Sequence, residues 1–204
     1  MDKLKKMFSI NKKIIVFFIG LLIIALIFGS SLALFLNEND KMLVTNYLKN
    51  FITNINTTNN TSLFVNGLFT NCSYGIFIWL LGISIIGIPI ILLMFFSKCF
   101  ILGFSVSSII INYKVKGILF ALIYIFPNQV INILIYGLLA SYGIIFSLKI
   151  IYSLFNKTEF KINQAFKKYF KIFIISIITL LISNIYESFI SPIIYKLIFD
   201  LLGL

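Results

Sequence analysis

The side chains able to do chemistry are few, and the most versatile of them is missing. No histidine occurs in the 204 residues, which removes the commonest general base and a leading metal ligand. Serine and threonine are plentiful, but a hydroxyl becomes a nucleophile only beside a base. Lysine could serve that role in a Ser–Lys pair. Lys98 and Lys149, however, each fall at the expected end of an apolar run, where a lysine reaches for water and lipid phosphate. There is no Gly-x-Ser-x-Gly turn, paired aspartate, glycine-rich phosphate loop or His-Glu-x-x-His. Cys72 and Cys99 are expected on opposite sides of a bilayer, too far apart to pair. With no histidine and no cysteine cluster, a zinc, haem or iron–sulfur site is not expected. The expectation is a chain that is not an enzyme and holds no cofactor.

Three features carry polarity or irregularity into apolar surroundings. Glu187 stands near the outer end of the last apolar run, in Asn184-Ile-Tyr-Glu-Ser-Phe-Ile-Ser-Pro192. It reads either as a binding or gating carboxylate or as a span end reaching the interface. Pro127-Asn128-Gln129 with Asn132 reads either as a ligand site or as the satisfaction of a helix end. Gly82, Gly87 and Pro89 interrupt another run, where neighbouring helices would have to accommodate what Pro89 leaves unpaired. Gly103 and Ser107, Gly137 and Ser141, and Gly143 and Ser147 are pairs of small residues four apart, a spacing that lets helices approach closely in lipid.

The elements that must position these residues are membrane helices. The chain is 60% hydrophobic and 17% aromatic, with a mean hydropathy of +1.07. A soluble domain of this size could not hide that much Ile, Leu and Phe, so the surplus must face lipid. All seventeen basic residues are lysine, and the net charge is +11. Because the lysines flank apolar runs, their anionic partner is read as lipid headgroups and not nucleic acid. Abundant Ile, Asn, Lys, Phe and Tyr suit an AT-rich bacterial genome, so the sequons at Asn56, Asn59, Asn60 and Asn71 are read as an Asn-rich loop.

The fold class expected is all-α, a polytopic membrane bundle of about five helices with broken or re-entrant segments in 99–129. Residues 1–13 form a basic N-terminus and 14–192 a single transmembrane domain, with spans at 14–36, 76–96, 99–126, 130–151 and 172–190. The first run is long for a signal peptide, which favours a retained anchor, although Ser30, Ser31 and Ala33 offer a weak cleavage site. The polar segment 37–74 carries one helical stripe, Leu43, Val44, Tyr47, Leu48, Phe51, Ile52 and Ile55. That stripe suits a helix on the membrane surface or against the bundle, or else a docking helix for a partner. Trp79 is placed near the start of the second span. Residues 99–129 allow two solutions, a broken span or a re-entrant pair.

Charge sets the orientation. Lys3, Lys5, Lys6, Lys12 and Lys13 precede the first span, and six lysines against Glu159 fill 149–171. Basic segments stay inside, so the N-terminus and 152–171 are cytoplasmic and 37–74 is extracytoplasmic. A fifth span then leaves the short apolar tail, 193–204, outside. Lys114 and Lys116 fit this count poorly.

Over nearly its whole length, from the first span to Pro192, the chain resembles a known family. Asn71-Cys-Ser-Tyr-Gly-Ile-Phe-Ile-Trp-Leu-Leu-Gly-Ile-Ser-Ile-Ile-Gly-Ile-Pro-Ile-Ile (71–91), Phe95-Phe-Ser-Lys-Cys-Phe-Ile-Leu-Gly-Phe-Ser-Val (95–106), Gly117-Ile-Leu-Phe-Ala-Leu-Ile-Tyr-Ile-Phe-Pro-Asn-Gln (117–129) and Glu187-Ser-Phe-Ile-Ser-Pro192 are similar, in order and spacing, to stage II sporulation protein M. One departure is Pro127-Asn128-Gln129, where broader relatives carry a Pro-His-Gly type of sequence, so no role tied to that histidine transfers. The resemblance implies a five-span protein of endospore formers, in the mother-cell membrane during engulfment. It implies as partners the stage II sporulation proteins D and P, which degrade peptidoglycan, with the M protein recruiting and anchoring them. Gly82, Gly87, Pro89, Gly103, Pro127, Asn128, Glu187 and Pro192 are the residues expected to shape the bundle or meet a partner, and an oligomer is compatible. The competing reading is a permease or transporter subunit with its site near the broken helices and Glu187.

Overall fold

A computed structural model describes residues 2–57, 59–156 and 162–194. Lys157, Glu159 and Lys161 of the basic connection and the tail beyond 194 lie outside the described residues, as do the side chains of Phe51, Ile52 and Ile55. The described chain is helical: α1 (Asp2–Leu34), α2 (Glu38–Thr57), α3 (Asn60–Ile83), α4 (Gly87–Phe120), α5 (Phe126–Asn156) and α6 (Ile162–Ile185). Two π turns, Ala121–Ile125 and Tyr186–Ile190, precede α5 and follow α6. Five segments are long and apolar enough to cross a membrane: Lys12–Leu34, Asn60–Ile83, Gly87–Ile123, Phe126–Ser153 and Asn163–Ile194. The protein is thus an all-α polytopic bundle.

The second and third crossings begin earlier in the chain than hydropathy suggested. Residues 60–75 are rich in Asn, Ser and Thr, yet they are helical because those groups find partners close by. Thr70 donates to the Asn66 carbonyl at 2.8 Å and Ser62 to the Asn59 carbonyl at 2.9 Å. The apolar run 76–96 is not one span. It is cut at Ser84–Ile86, where Gly87 N–H reaches the Ser84 carbonyl at 3.1 Å. Pro89 therefore lies in the first turn of α4, where its missing N–H has no intrahelical partner to lose. Trp79 accordingly sits near the end of a span instead of its start.

Helix α4 holds the answer to 99–129. Lys114 adopts φ 51°, ψ −126°, a strained conformation for a lysine. A Cβ on Gly117 would come within 3.1 Å of Ile110 Cα, although straight helix would separate such residues by about 10 Å. The chain therefore doubles back at Lys114. The third crossing spans 87–113, about 40 Å of helix, and 115–125 starts the return that runs through the π turn into α5. Lys114 and Lys116 are exposed at this corner, at the same end as α2, since Thr45 donates to Asn112 Oδ1 at 2.6 Å.

Helix α5 is the central post. Two-thirds of its span (67%) is buried, against 17–28% for the other four. Its Leu139 and Ala140 form one core with Ile78 of α3, Ile91 and Phe95 of α4 and Leu180 of α6. Helix α1 lies parallel to α4, with Gly103 pressed against the Leu26 backbone and a Cβ there 3.0 Å from Leu26 Cα. Most of its remaining surface, including Phe17, Ile23, Ile27 and Phe28, is exposed and suited to lipid. Helix α2 buries Leu48 and leaves Leu43 and Tyr47 68% and 71% exposed.

Candidate functional site

Two prolines build the polar end of the bundle by the same local device. Each follows a π turn by one residue: Ala121–Ile125, Phe126, Pro127, and Tyr186–Ile190, Ser191, Pro192. A proline inside a helix collides with the carbonyl four residues back, and the wider π turn relieves that collision. The N–H of Phe126 reaches Ala121 O and that of Ser191 reaches Tyr186 O, five residues back in each case. Both turns lie at the α2 end, and there Asn128 meets Glu187.

Asn128 is the node. Its amide donates to Glu187 Oε2, and its Oδ1 accepts from the Ser183 hydroxyl and from Asn132 Nδ2 at 3.4 Å. Asn128, Asn132 and Tyr136 recur every fourth residue on α5 and so share one face, and Glu187, in the π turn, follows Ser183 of α6 by four. Tyr136 donates to Asn71 on α3, reaching both its backbone O (3.2 Å) and its Oδ1 (3.3 Å). The Tyr74 hydroxyl donates to the Met94 carbonyl of α4. Beside the cluster, Asn184 Nδ2 donates to the Phe64 carbonyl at 2.8 Å.

Lys98 completes the cluster from α4. Its ammonium lies 5.2 Å from the Tyr74 ring centroid and 6.0 Å from that of Tyr136, within cation–π range. It stands about 16 Å into its helix, near mid-span, and not at a span end as the sequence suggested; the earlier start of α4 accounts for the difference. Among the described residues no hydrogen bond joins it to a serine. Cys72 and Cys99 likewise lie within the spans, both free, and belong to one packed cluster instead of opposite membrane faces.

The other expected residues have packing positions. Gly82 of α3 meets Gly143 of α5 backbone to backbone. Ser147 donates to the Gly82 and Ser84 carbonyls at 2.7 and 3.1 Å. Beside them Trp79 stacks on Phe173 (4.4 Å) and Tyr169 (6.1 Å), whose hydroxyl donates to the Trp79 carbonyl at 2.9 Å. Gly87 turns the α3–α4 corner, with the Leu81 backbone against it. Gly137 faces Phe95, and Ser141 bonds back to the Gly137 carbonyl. Of the expected set, Asn128 and Glu187 meet directly, and Gly82 and Gly87 share the α3–α4 corner. Lys98, Tyr74, Tyr136, Asn71 and Ser183 were missed; a lone lysine inside an apolar run and the four-residue polar spacing were the available signals.

No curated protein and no solved structure matches the chain. The family model for Stage II sporulation protein M matches residues 14–192, nearly the whole bundle from the first crossing through Pro192. This chain, a multi-pass membrane protein related to sporulation, belongs to the stage II sporulation protein M family.

Proposed function

We propose that the chain is a non-catalytic membrane scaffold that recruits and anchors peptidoglycan-degrading partners during engulfment in endospore formation. The partners proposed are the stage II sporulation proteins D and P, held at the mother-cell engulfing membrane. The observation that carries this reading is family membership over residues 14–192 combined with five crossing helices. The sequence adds that no histidine is present to activate a hydroxyl. Lys12, Lys13, Lys167, Lys168 and Lys171 gather at one end of the bundle, which supports a cytoplasmic N-terminus. Leu43 and Tyr47 would then face the side where wall hydrolases work. Affinity purification of the tagged chain from sporulating cells should recover both hydrolases. A preparation free of them, or peptidoglycan cleavage by the purified chain alone, overturns the proposal.

One observation favours a second reading, a permease or transporter subunit: Lys98, Asn128 and Glu187 gather between helices at membrane depth. Solute flux into proteoliposomes that is lost in Glu187→Gln would support it. A null result across candidate solutes would count against it.

A further inference from the structure

A cleft of about 50 Å³ lies where the end of α1, the start of α2 and the stretch of α4 before Lys114 meet. Its floor is the buried pair Ala33 and Ser108, its walls are Leu36 and Val44, and Lys41 and Asn112 stand on its exposed rim. A water needs about 10–15 Å³ of such space, so a group of several heavy atoms fits. The polar lining is one-sided, because what it offers is donors. The Ser108 hydroxyl is buried and has no hydrogen-bond partner within the chain, a state that costs free energy unless something answers it. Asn112 spends its Oδ1 on Thr45 and one amide hydrogen on the Ser108 carbonyl at 2.8 Å, which leaves its second amide hydrogen to give. Lys41 forms no ion pair among the described residues, although Glu38 and Asp40 stand beside it in the sequence.

Depth selects the source of a ligand here. Ser108 and Asn112 lie six and two residues before the corner at Lys114, about 9 and 3 Å below it along the helix. The exposed Lys114 and Lys116 put that corner at the water edge, and each headgroup layer is about 5–8 Å thick. The cleft therefore sits where headgroups meet acyl chains. Leu34, Phe35 and Met42 beside it are 63%, 83% and 66% exposed, an apolar margin suited to lipid tails. We propose that this cleft binds the phosphate of an anionic phospholipid, with Lys41, Ser108 and Asn112 as donors and the lipid tails lying over Leu34 and Phe35. A phosphate diester brings charged acceptor oxygens to a lining that holds donors and no acid, and a lipid carries that group to this depth by itself. The bound lipid joins α2 to α1 and α4, beside the bond from Thr45 to Asn112. The site stands apart from the scaffold reading and would hold under either proposed function.

Native mass spectrometry of the full-length protein in a neutral detergent, titrated with phosphatidylglycerol, reads the site directly. Wild type should take up one lipid ahead of all others. Lys41→Gln should weaken that first step about tenfold or more, as expected when a charged hydrogen-bond donor is lost, and Ser108→Ala about fivefold. Lys116→Gln, exposed at the same end but outside the cleft, should leave the step unchanged. The Ser108 hydroxyl bonds nothing within the chain, so Ser108→Ala keeps the fold and its loss of lipid is not misfolding. A first step as tight in Lys41→Gln or Ser108→Ala as in wild type, or one weakened equally by Lys116→Gln, would overturn the proposal. Two further ligands separate the sources. Diacylglycerol with the same tails should fail to occupy the step, and equal binding would mean that tails alone seat the lipid. Inorganic phosphate should fail to displace phosphatidylglycerol, and displacement would give the cleft to a free anion instead of a lipid. Either result would refute the assignment.

Discussion

Gly82→Ala is the substitution for which the geometry gives the sharpest expectation. A Cβ there would stand 2.7 Å from Gly143 Cα and 3.1 Å from Tyr169 Cζ, whereas nonbonded carbons settle at about 3.5–4.0 Å. Two backbones must separate by roughly 1 Å, which ordinary overpacking penalties put at about 1–3 kcal/mol. The same movement strains the 2.7 Å bond from Ser147 to the Gly82 carbonyl and the 2.9 Å bond from Tyr169 to the Trp79 carbonyl. Interhelical bonds in membranes average about 0.6 kcal/mol each, so losing both adds about 1 kcal/mol. Alanine's better helix propensity returns up to about 1 kcal/mol. The net loss is about 1–3 kcal/mol. Gly20→Ala is the control, because nothing lies within 4 Å of its Cβ position, and propensity alone should leave it neutral or up to about 1 kcal/mol more stable. Unfolding by SDS in mixed micelles can be followed through Trp79, the sole tryptophan, which stacks in the affected cluster. A Gly82→Ala protein as stable as wild type, or a Gly20→Ala protein equally damaged, would refute the close-contact argument.

Further outcomes follow from the polar contacts. Ser147→Ala removes two bonds to carbonyls at the α3–α4 corner and should cost about 0.6 to 1.7 kcal/mol in the same titration. Asn128→Ala should cost more, about 1–3 kcal/mol, because Ser183, Asn132 and Glu187 all lose a partner in a buried setting. Lys98→Met and Glu187→Gln each strand the opposite charge. A double-mutant cycle should therefore show the pair losing less than the sum of the singles by at least about 0.5 kcal/mol, while strict additivity would mean the charges are uncoupled.

Hydropathy and charge placement sufficed for the helical membrane class and the five crossings. They did not suffice for where the crossings begin. Residues 60–75 look like a loop because Asn, Ser and Thr lower their hydropathy, but Asn71 and Thr70 are satisfied by Tyr136 and the Asn66 carbonyl. A linear scan has no access to such partners. Ser84-Ile85-Ile86 sits inside an apolar run and looks like span interior, and the corner shows only in the contacts around the Ser84 carbonyl, which accepts from Gly87 N–H and Ser147. Pro127, Asn128 and Glu187 were legible as polar interruptions. Their meeting was not, since 59 residues separate Asn128 from Glu187. The same misplacement of α4 hid Lys98: cutting the run near residue 96 turned a mid-span lysine into an interfacial one.

The proposed anchoring is tested most directly by imaging fluorescently tagged stage II sporulation protein D, the proposed partner, in sporulating cells with and without this chain. The account requires the hydrolase to gather at the engulfing membrane only when the chain is present, and to disperse through the membrane when it is deleted. Unchanged gathering after deletion would contradict it.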